Sequence, residues 1–357
     1  MKTLMRIAAT VLFVLAFLPA LIVHAQTEDT IETIAGIGNV GVQDGADASF
    51  HMPSDVLVLP GGEILVADMF NNLLRLVNAD GETSTFAGFI PEFFPMGFHL
   101  DATRDNAGLH HPTSLAKSAI GRIYFVEPAN NSVRAIIGNY VFTIAGWGEA
   151  GFADGPRGTS AFNNPSAIAL GPNGYLYVAD TLNHVIRRIS PAWNTTTIAG
   201  TPGEYGYTNG NASAALFDSP KGITVTADGR VFVADTGNHV IRVIENGTVS
   251  TFAGSHQESE DGYYMVGGFA DGTGVDALFN QPRGLAMWGN NLIVTDSANH
   301  SIRMITPTGV VTTVFGGEFT GYAHETLHFP MGISVYENRL YIADSGNNKI
   351  RMLPLQN

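Results

Sequence analysis

One pattern of residues recurs six times along this chain, and its sixth copy is divided between the two ends. The clearest copy starts at Pro165. It reads Pro165-Ser-Ala-Ile-Ala-Leu170, Gly-Pro-Asn-Gly, Tyr175-Leu-Tyr-Val-Ala-Asp180, Thr-Leu-Asn183-His184, Val-Ile-Arg187-Arg-Ile189 and Thr195-Thr-Thr-Ile-Ala-Gly200. The acid that closes the second apolar run falls at Asp68, Glu127, Asp180, Asp235, Asp296 and Asp344, at spacings of 59, 53, 55, 61 and 48 residues. Self-similarity at this period, built from short apolar runs, is the signature of a propeller.

Each copy holds four runs of strand length, separated by clusters of Gly, Pro, Asn and Asp. In the third copy they are 166–170, 175–179, 185–189 and 195–199. The turns are too short for crossover helices, so the strands are antiparallel. Four such strands per copy, repeated radially, predict an all-β six-bladed β-propeller of four-stranded antiparallel blades. Phe50, Leu109, Phe162, Phe217, Phe279 and Leu327 each stand three residues before a copy's opening Pro. They read as wedges between blades. The last copy starts at Pro330 and lacks a fourth strand, while an orphan fourth strand, Ile31-Glu-Thr-Ile-Ala-Gly36, stands near the other end. Pairing the two closes the ring and leaves no open sheet edge.

The remaining composition narrows the function classes. With no cysteine among 357 residues, disulfides, thiolate metal sites and thiol nucleophiles are excluded. Residues 1–25 read as a signal peptide, with Lys2 and Arg6 before an apolar stretch and Ala25 at the cleavage position. Residues 26–357 then form a single propeller domain. The expectation is a secreted protein, extracellular or periplasmic, with no stable membrane insertion after cleavage. The full chain carries a net charge of −14, or −16 without Lys2 and Arg6. An acidic surface argues against nucleic acid as a partner.

The stretches Asp180-Thr-Leu-Asn183-His184-Val-Ile-Arg187, Asp235-Thr-Gly-Asn238-His239-Val-Ile-Arg242 and Asp296-Ser-Ala-Asn299-His300-Ser-Ile-Arg303 closely resemble the NHL repeat. Asp68/Asn71/Arg75 and Asp344/Asn347/Arg351 fit with Asn in the His slot, and Glu127/Asn130/Arg134 is the most degenerate copy. The resemblance spans about residues 31–355 and implies a six-bladed propeller. It also implies a scaffold whose function must be argued from its site, because many NHL propellers are binding platforms. Relatives among six-bladed propellers include lyases and lactonases with a metal in the central channel.

The Asp, Asn, His and Arg of the repeat look catalytic, but residues present in every blade are expected to build the blade. Asp and Asn bond the backbone of tight turns, and Arg pairs with the carboxylate. Function is expected where copies differ. Two positions before the opening Pro stand His51, His110, Asn163, Asp218, Asn280 and His328. In a closed ring His328, His51 and His110 are consecutive, with His111 beside them. His51, His110 and His328 are candidate ligands for a divalent metal, Zn²⁺ or Ca²⁺, and His111 is a candidate for ligand contact at the channel mouth; the alternative is that this slot caps backbone. After the Pro stand Ser54, Thr113, Ser166, Lys221, Arg283 and Met331. Lys221 and Arg283 are neighbours and suit an anionic or carboxylate ligand, unless Asp218 and the acidic 258–261 stretch neutralise them. Two aromatic linkers, with Phe93 and Phe94 in one and Tyr263 and Tyr264 in the other, are further candidates for ligand contact.

The resulting expectation is a non-catalytic binding scaffold for a protein, peptide or glycan at one rim. No cofactor is expected on that reading. The alternative is a metal-dependent lyase or hydrolase at the channel mouth, with Arg283 or Tyr263 as electrophile or acid.

Overall fold

A computed structural model describes residues 31–91, 97–259, 265–317 and 326–356. Six antiparallel sheets stand around a central axis. Blade 1 comprises Pro53–Val58, Ile64–Asp68, Leu73–Val77 and Thr83–Ala87, ordered from the axis outward. Blades 2 to 5 repeat this order. Blade 6 takes its first three strands, Ile333–Tyr336, Arg339–Asp344 and Lys349–Pro354, from the end of the chain. Its fourth is Glu32–Ala35, which pairs Glu32 with Met352 and Thr33 with Arg351. The ring therefore closes as the divided sixth copy predicts.

The blades are slightly larger than expected. Blades 2 to 5 each carry a fifth, two-residue strand at the outer edge: Ala102–Thr103, Gly155–Pro156, Gly210–Asn211 and Gly272–Thr273. The fastening contact is visible in blade 3. There Asp154 accepts a hydrogen bond from Thr197 N–H at 3.0 Å and pairs with Arg187 at 2.8 Å, which fastens the linker beside the fourth strand. The carboxylate does not suffice by itself, because Asn209 takes its place in blade 4 and the same contacts of Asp44 in blade 1 leave only a single Gly45–Thr83 bridge. The Asp-Gly turns at Asp44, Asp154 and Asp271 thus belong to the blade. Each carboxylate bridges the repeat arginine and a backbone N–H of the fourth strand.

The core lies between the blades. Six apolar clusters each join two neighbouring blades, including the pair formed by blades 6 and 1. The second strands of blades 1 to 4, such as Leu176–Asp180, are buried along their whole length, and those of blades 5 and 6 are buried beyond their first residue, as expected of strands packed on both faces. The wedges Phe50, Leu109, Phe162, Phe217, Phe279 and Leu327 are all buried.

Candidate functional site

The repeated polar residues form one construction in every blade. The acid at the end of the second strand accepts, through one oxygen, the backbone N–H two residues before the opening Pro, at 2.7–2.9 Å. Its other oxygen faces the repeat Asn and the repeat Arg. The Arg–acid distances run from 2.6 to 2.9 Å in blades 1 to 5 and reach 3.3 Å in the closing blade. Burial pushes Asp68, Asp180, Asp235 and Asp296 up to about 6, and the Arg and Asn contacts oppose that rise. In blades 1, 3, 4 and 5 the guanidinium also lies 4.7–5.4 Å from the centre of the wedge phenylalanine ring. The repeat acid and the repeat Arg thus pair their charges within each blade, although the buried Nε of Arg75, Arg134, Arg242 and Arg303 has no hydrogen-bond partner among the described residues.

The His slot has its own physical reason. Its residue adopts the left-handed region in every blade, with φ of 57° at Asn72, 48° at Asn131, 56° at His184, 57° at His239, 55° at His300 and 53° at Asn348. Asn and His are among the few residues that tolerate this conformation. Its side chain then accepts a hydrogen bond from the next blade, at the residue just before the opening Pro. Asn72 Oδ1 takes His111 N–H, Asn131 Oδ1 takes Asn164 N–H, and Asn348 Oδ1 takes Met52 N–H. His184, His239 and His300 take Ser219, Gln281 and Phe329 N–H through Nδ1, at 2.9–3.1 Å. Six bonds of one type therefore run from blade to blade around the ring. Desolvation holds all three imidazoles below the usual histidine range, and the neutral form is the one that can accept through Nδ1.

The residues donating those bonds, Met52, His111, Asn164, Ser219, Gln281 and Phe329, are themselves left-handed, with φ of 47–55°. Four of them, Met52, His111, Asn164 and Phe329, line a cavity of about 380 Å³ at the mouth of the channel. Phe70 and Pro128, from the turns between second and third strands, also line it. The cavity therefore opens on the face that carries the repeat turns.

Its wall is set by the first strands, whose residues differ from blade to blade. Lys221 of blade 4 and Arg283 of blade 5 both line it. Gly222 lets their strands meet, since a Cβ there would strike the Arg283 carbonyl. Among the described residues, neither cation has a side-chain hydrogen bond or an ion pair. Asp218, expected to neutralise them, accepts Ser219 Oγ–H at 2.9 Å and lies 3.7 Å from His184 Nδ1. Burial, and then the charge of Arg283, lower Lys221 to about 8, while Asp218 acts in the opposite direction. Burial lowers Arg283 to about 10. The Arg283 guanidinium sits 4.8 Å from the centre of the Phe329 ring.

Asp55 is the residue that the sequence reading passed over. It stands on the blade 1 wall, at the position held elsewhere by Ser114, Ala167, Gly222, Gly284 and Gly332. Its signal was a lone carboxylate among small residues. Burial raises it to about 7. One oxygen accepts Val56 N–H at 2.9 Å and the other accepts Leu115 N–H at 2.8 Å, tying blade 1 to blade 2. Asp55 is thus committed to backbone.

The other candidates divide as follows. His111 lines the cavity, and desolvation lowers its pKa. It joins a chain of rings running His51, Phe70, His111, His110, with centroids 5.0, 5.0 and 4.7 Å apart. His328 packs instead on His300, at 5.2 Å. The three expected metal ligands thus face three different rings. Among the described residues no three His, Asp or Glu groups gather into a metal-binding cluster. Phe93, Phe94, Tyr263, Tyr264, the 1–25 leader, and Glu260 and Asp261 of the acidic stretch expected as an alternative counter-charge lie outside the described residues. No helix among those residues is long and apolar enough to cross a membrane.

A closed six-bladed β-propeller with a cavity at one channel mouth is the class these observations define. The NHL repeat model matches residues 217–244 and 279–303, and the chain is an NHL-repeat propeller. It is 30% identical over 207 residues to NHL repeat-containing protein 2 of Gallus gallus, covering 51% of this chain and 27% of that protein. The chain spans 22–27% of the length of such curated relatives. Among solved structures it is similar to an auxiliary nutrient-binding protein of Bacteroides ovatus, with a TM-score of 0.64, 15% identity, and coverage of 92% of this chain and 77% of that one. It is also similar to virginiamycin B lyase of Staphylococcus aureus, with a TM-score of 0.54, 16% identity, and coverage of 88% and 98%.

Proposed function

We propose that this chain is an exported, non-catalytic binding propeller that takes its ligand at the channel mouth. One observation carries the reading. The charges common to all blades are paired within the blade, whereas the unlike residues of the first strands surround an open cavity with two cations, Lys221 and Arg283, that have no ion pair among the described residues. A rigid ring with one chemically distinct hollow is a binding architecture. The cavity, at about 380 Å³, lies at the small end of ligand sites, so it suits a small molecule or the end of a peptide or glycan. The auxiliary nutrient-binding function given for one fold neighbour supports the same reading. Placement outside the cytoplasm, in periplasm or medium, rests on the 1–25 leader.

The test is native mass spectrometry and thermal-shift screening of the purified protein against its Met331→Trp variant, which fills the mouth. Ligands bound by the parent and lost in the variant are expected. Binding that ignores Met331→Trp would move the site elsewhere. Stoichiometric zinc or calcium retained by the parent and lost in a His51→Ala/His110→Ala variant would favour the metal-dependent alternative instead.

A further inference from the structure

Three features of the channel wall converge on one ligand chemistry. The first is two neighbouring cations, Lys221 and Arg283, that lack a partner among the described residues and have lost much of their water. Buried charges are normally paired, so an unpaired pair in a hollow marks the place of an anion that arrives from outside. Second, the carboxylate that shares the cavity, Asp55, makes no ion pair with them; its two oxygens accept the Val56 and Leu115 N–H groups of blades 1 and 2. Third, the wall beneath the cations is aliphatic: Val56, Leu115, Ile168, Ile223, Leu285 and Ile333 all line the cavity, one from each blade.

We propose that the channel binds an apolar monocarboxylate, with its carboxylate between Lys221 and Arg283 and its apolar part against the aliphatic ring. This rests on the channel-mouth reading above. The Arg283 guanidinium carbon lies 4.8 Å from the centre of the Phe329 ring, and a guanidinium can meet a planar carboxylate at two points. A single negative charge fits better than two, because the aliphatic ring solvates charge poorly. The carboxylate belongs either to a free organic acid or to the C-terminus of a peptide ending in an apolar residue. Both present the same chemistry to the wall.

Calorimetric titration of the full protein tests this with defined probes. Octanoate is expected to bind, and octanamide to bind at least about tenfold more weakly, because the charge is what the cations recognise. Lys221→Met and Arg283→Met should each weaken octanoate by about tenfold or more and leave octanamide unchanged. Lys221→Gln and Arg283→Gln serve as second variants, with urea midpoints confirming that each is folded. An Ala-Ala-Ala-Leu peptide, with free or amidated C-terminus, separates a peptide end from a free acid: whichever of octanoate and the free peptide binds tighter names the source. The proposal falls if octanamide matches octanoate, if the cation variants keep octanoate affinity, or if no carboxylate probe binds. Tighter binding of octyl phosphate would replace carboxylate with phosphate. The two readings fail separately. Loss of probe binding in Met331→Trp but not in the cation variants sinks only the carboxylate assignment, whereas probe binding indifferent to Met331→Trp sinks the channel site itself.

Discussion

His239 offers a direct test of what the repeat histidine does. It is 8% exposed, has φ of 57°, and accepts Gln281 N–H through Nδ1 at 2.9 Å. Two demands therefore meet at one position: tolerance of a left-handed backbone and a side-chain acceptor. Asn meets both, as blades 1, 2 and 6 show. Gly meets only the first, and Leu meets neither. His239→Asn should cost less than about 0.5 kcal/mol. His239→Gly loses the acceptor and leaves the Gln281 N–H without its partner, at about 1–2 kcal/mol. His239→Leu adds about 1 kcal/mol for a branched side chain in the left-handed region, making roughly 2–3 kcal/mol in all. Urea unfolding with unchanged m-values reads these as midpoint shifts. Titration gives an independent readout. Burial lowers the His239 pKa in the folded protein, with Asp218 and the Met265 backbone opposing and His256 assisting. The unfolded chain then binds the proton more readily. The stability of the parent relative to His239→Asn should be full above about pH 6.5 and fall as the pH descends below it. Equal midpoints for the Asn and Leu variants would refute the acceptor role. A flat parent-minus-Asn difference from pH 8 to 5 would refute the neutral imidazole.

Deleting residues 26–37 removes the Glu32–Ala35 strand and bares the edge of Lys349–Pro354; calorimetry should show a melting point lower by about 10 °C or more. Asp180→Asn leaves Arg187 buried without its inner counter-ion and should cost about 3–5 kcal/mol, whereas Asp154→Asn, at an acid 45% exposed, should cost under about 1 kcal/mol; chemical denaturation distinguishes them. Lys221→Met should stabilise the ligand-free protein, on the order of 2 kcal/mol at pH 7. The ammonium titrates near 8 when folded against 10.5 unfolded, so its penalty is complete below 8 and vanishes above about 10.5. A lower urea midpoint for Lys221→Met at pH 7 would show that this lysine is structural. Octanoate affinity should fall as the pH rises through about 8 in the parent and stay level in that variant.

The fold was legible because its information is repeated. Six copies of a strand–turn pattern specify blade, register and closure, and Phe50 or Phe217 could be read as wedges because equivalent positions agree. The outer strands of blades 2 to 5 were not legible. They are two residues long, too short for any periodicity, and are fastened by long-range contacts such as that of Asp154 with the Thr197 backbone. The cavity was partly legible. Lys221 and Arg283 were visible as departures from the Ser and Thr at the same position. His51, His110 and His328 share a position as well, but each ring turns to a different neighbour, and side-chain direction at a turn is not written in spacing. Asp55 escaped notice because it sits one residue further along the strand than the position being compared.

The division between blade and site follows from charge pairing. A residue required six times must have its charge paired, since any unpaired charge would be repeated around the whole ring. Accordingly Asp180, Asn183 and Arg187 satisfy one another, and His184 is satisfied by the next blade. A residue required once is free of that rule. Lys221 and Arg283 bring like charges together in the cavity wall, where Asp218 opposes the burial of Lys221 but neither cation has an ion pair among the described residues. Such an arrangement opposes folding and is tolerable only because the other blade contacts hold the ring closed. The charge-paired framework is thus what permits these two cations to persist, and they are where a ligand has most to offer.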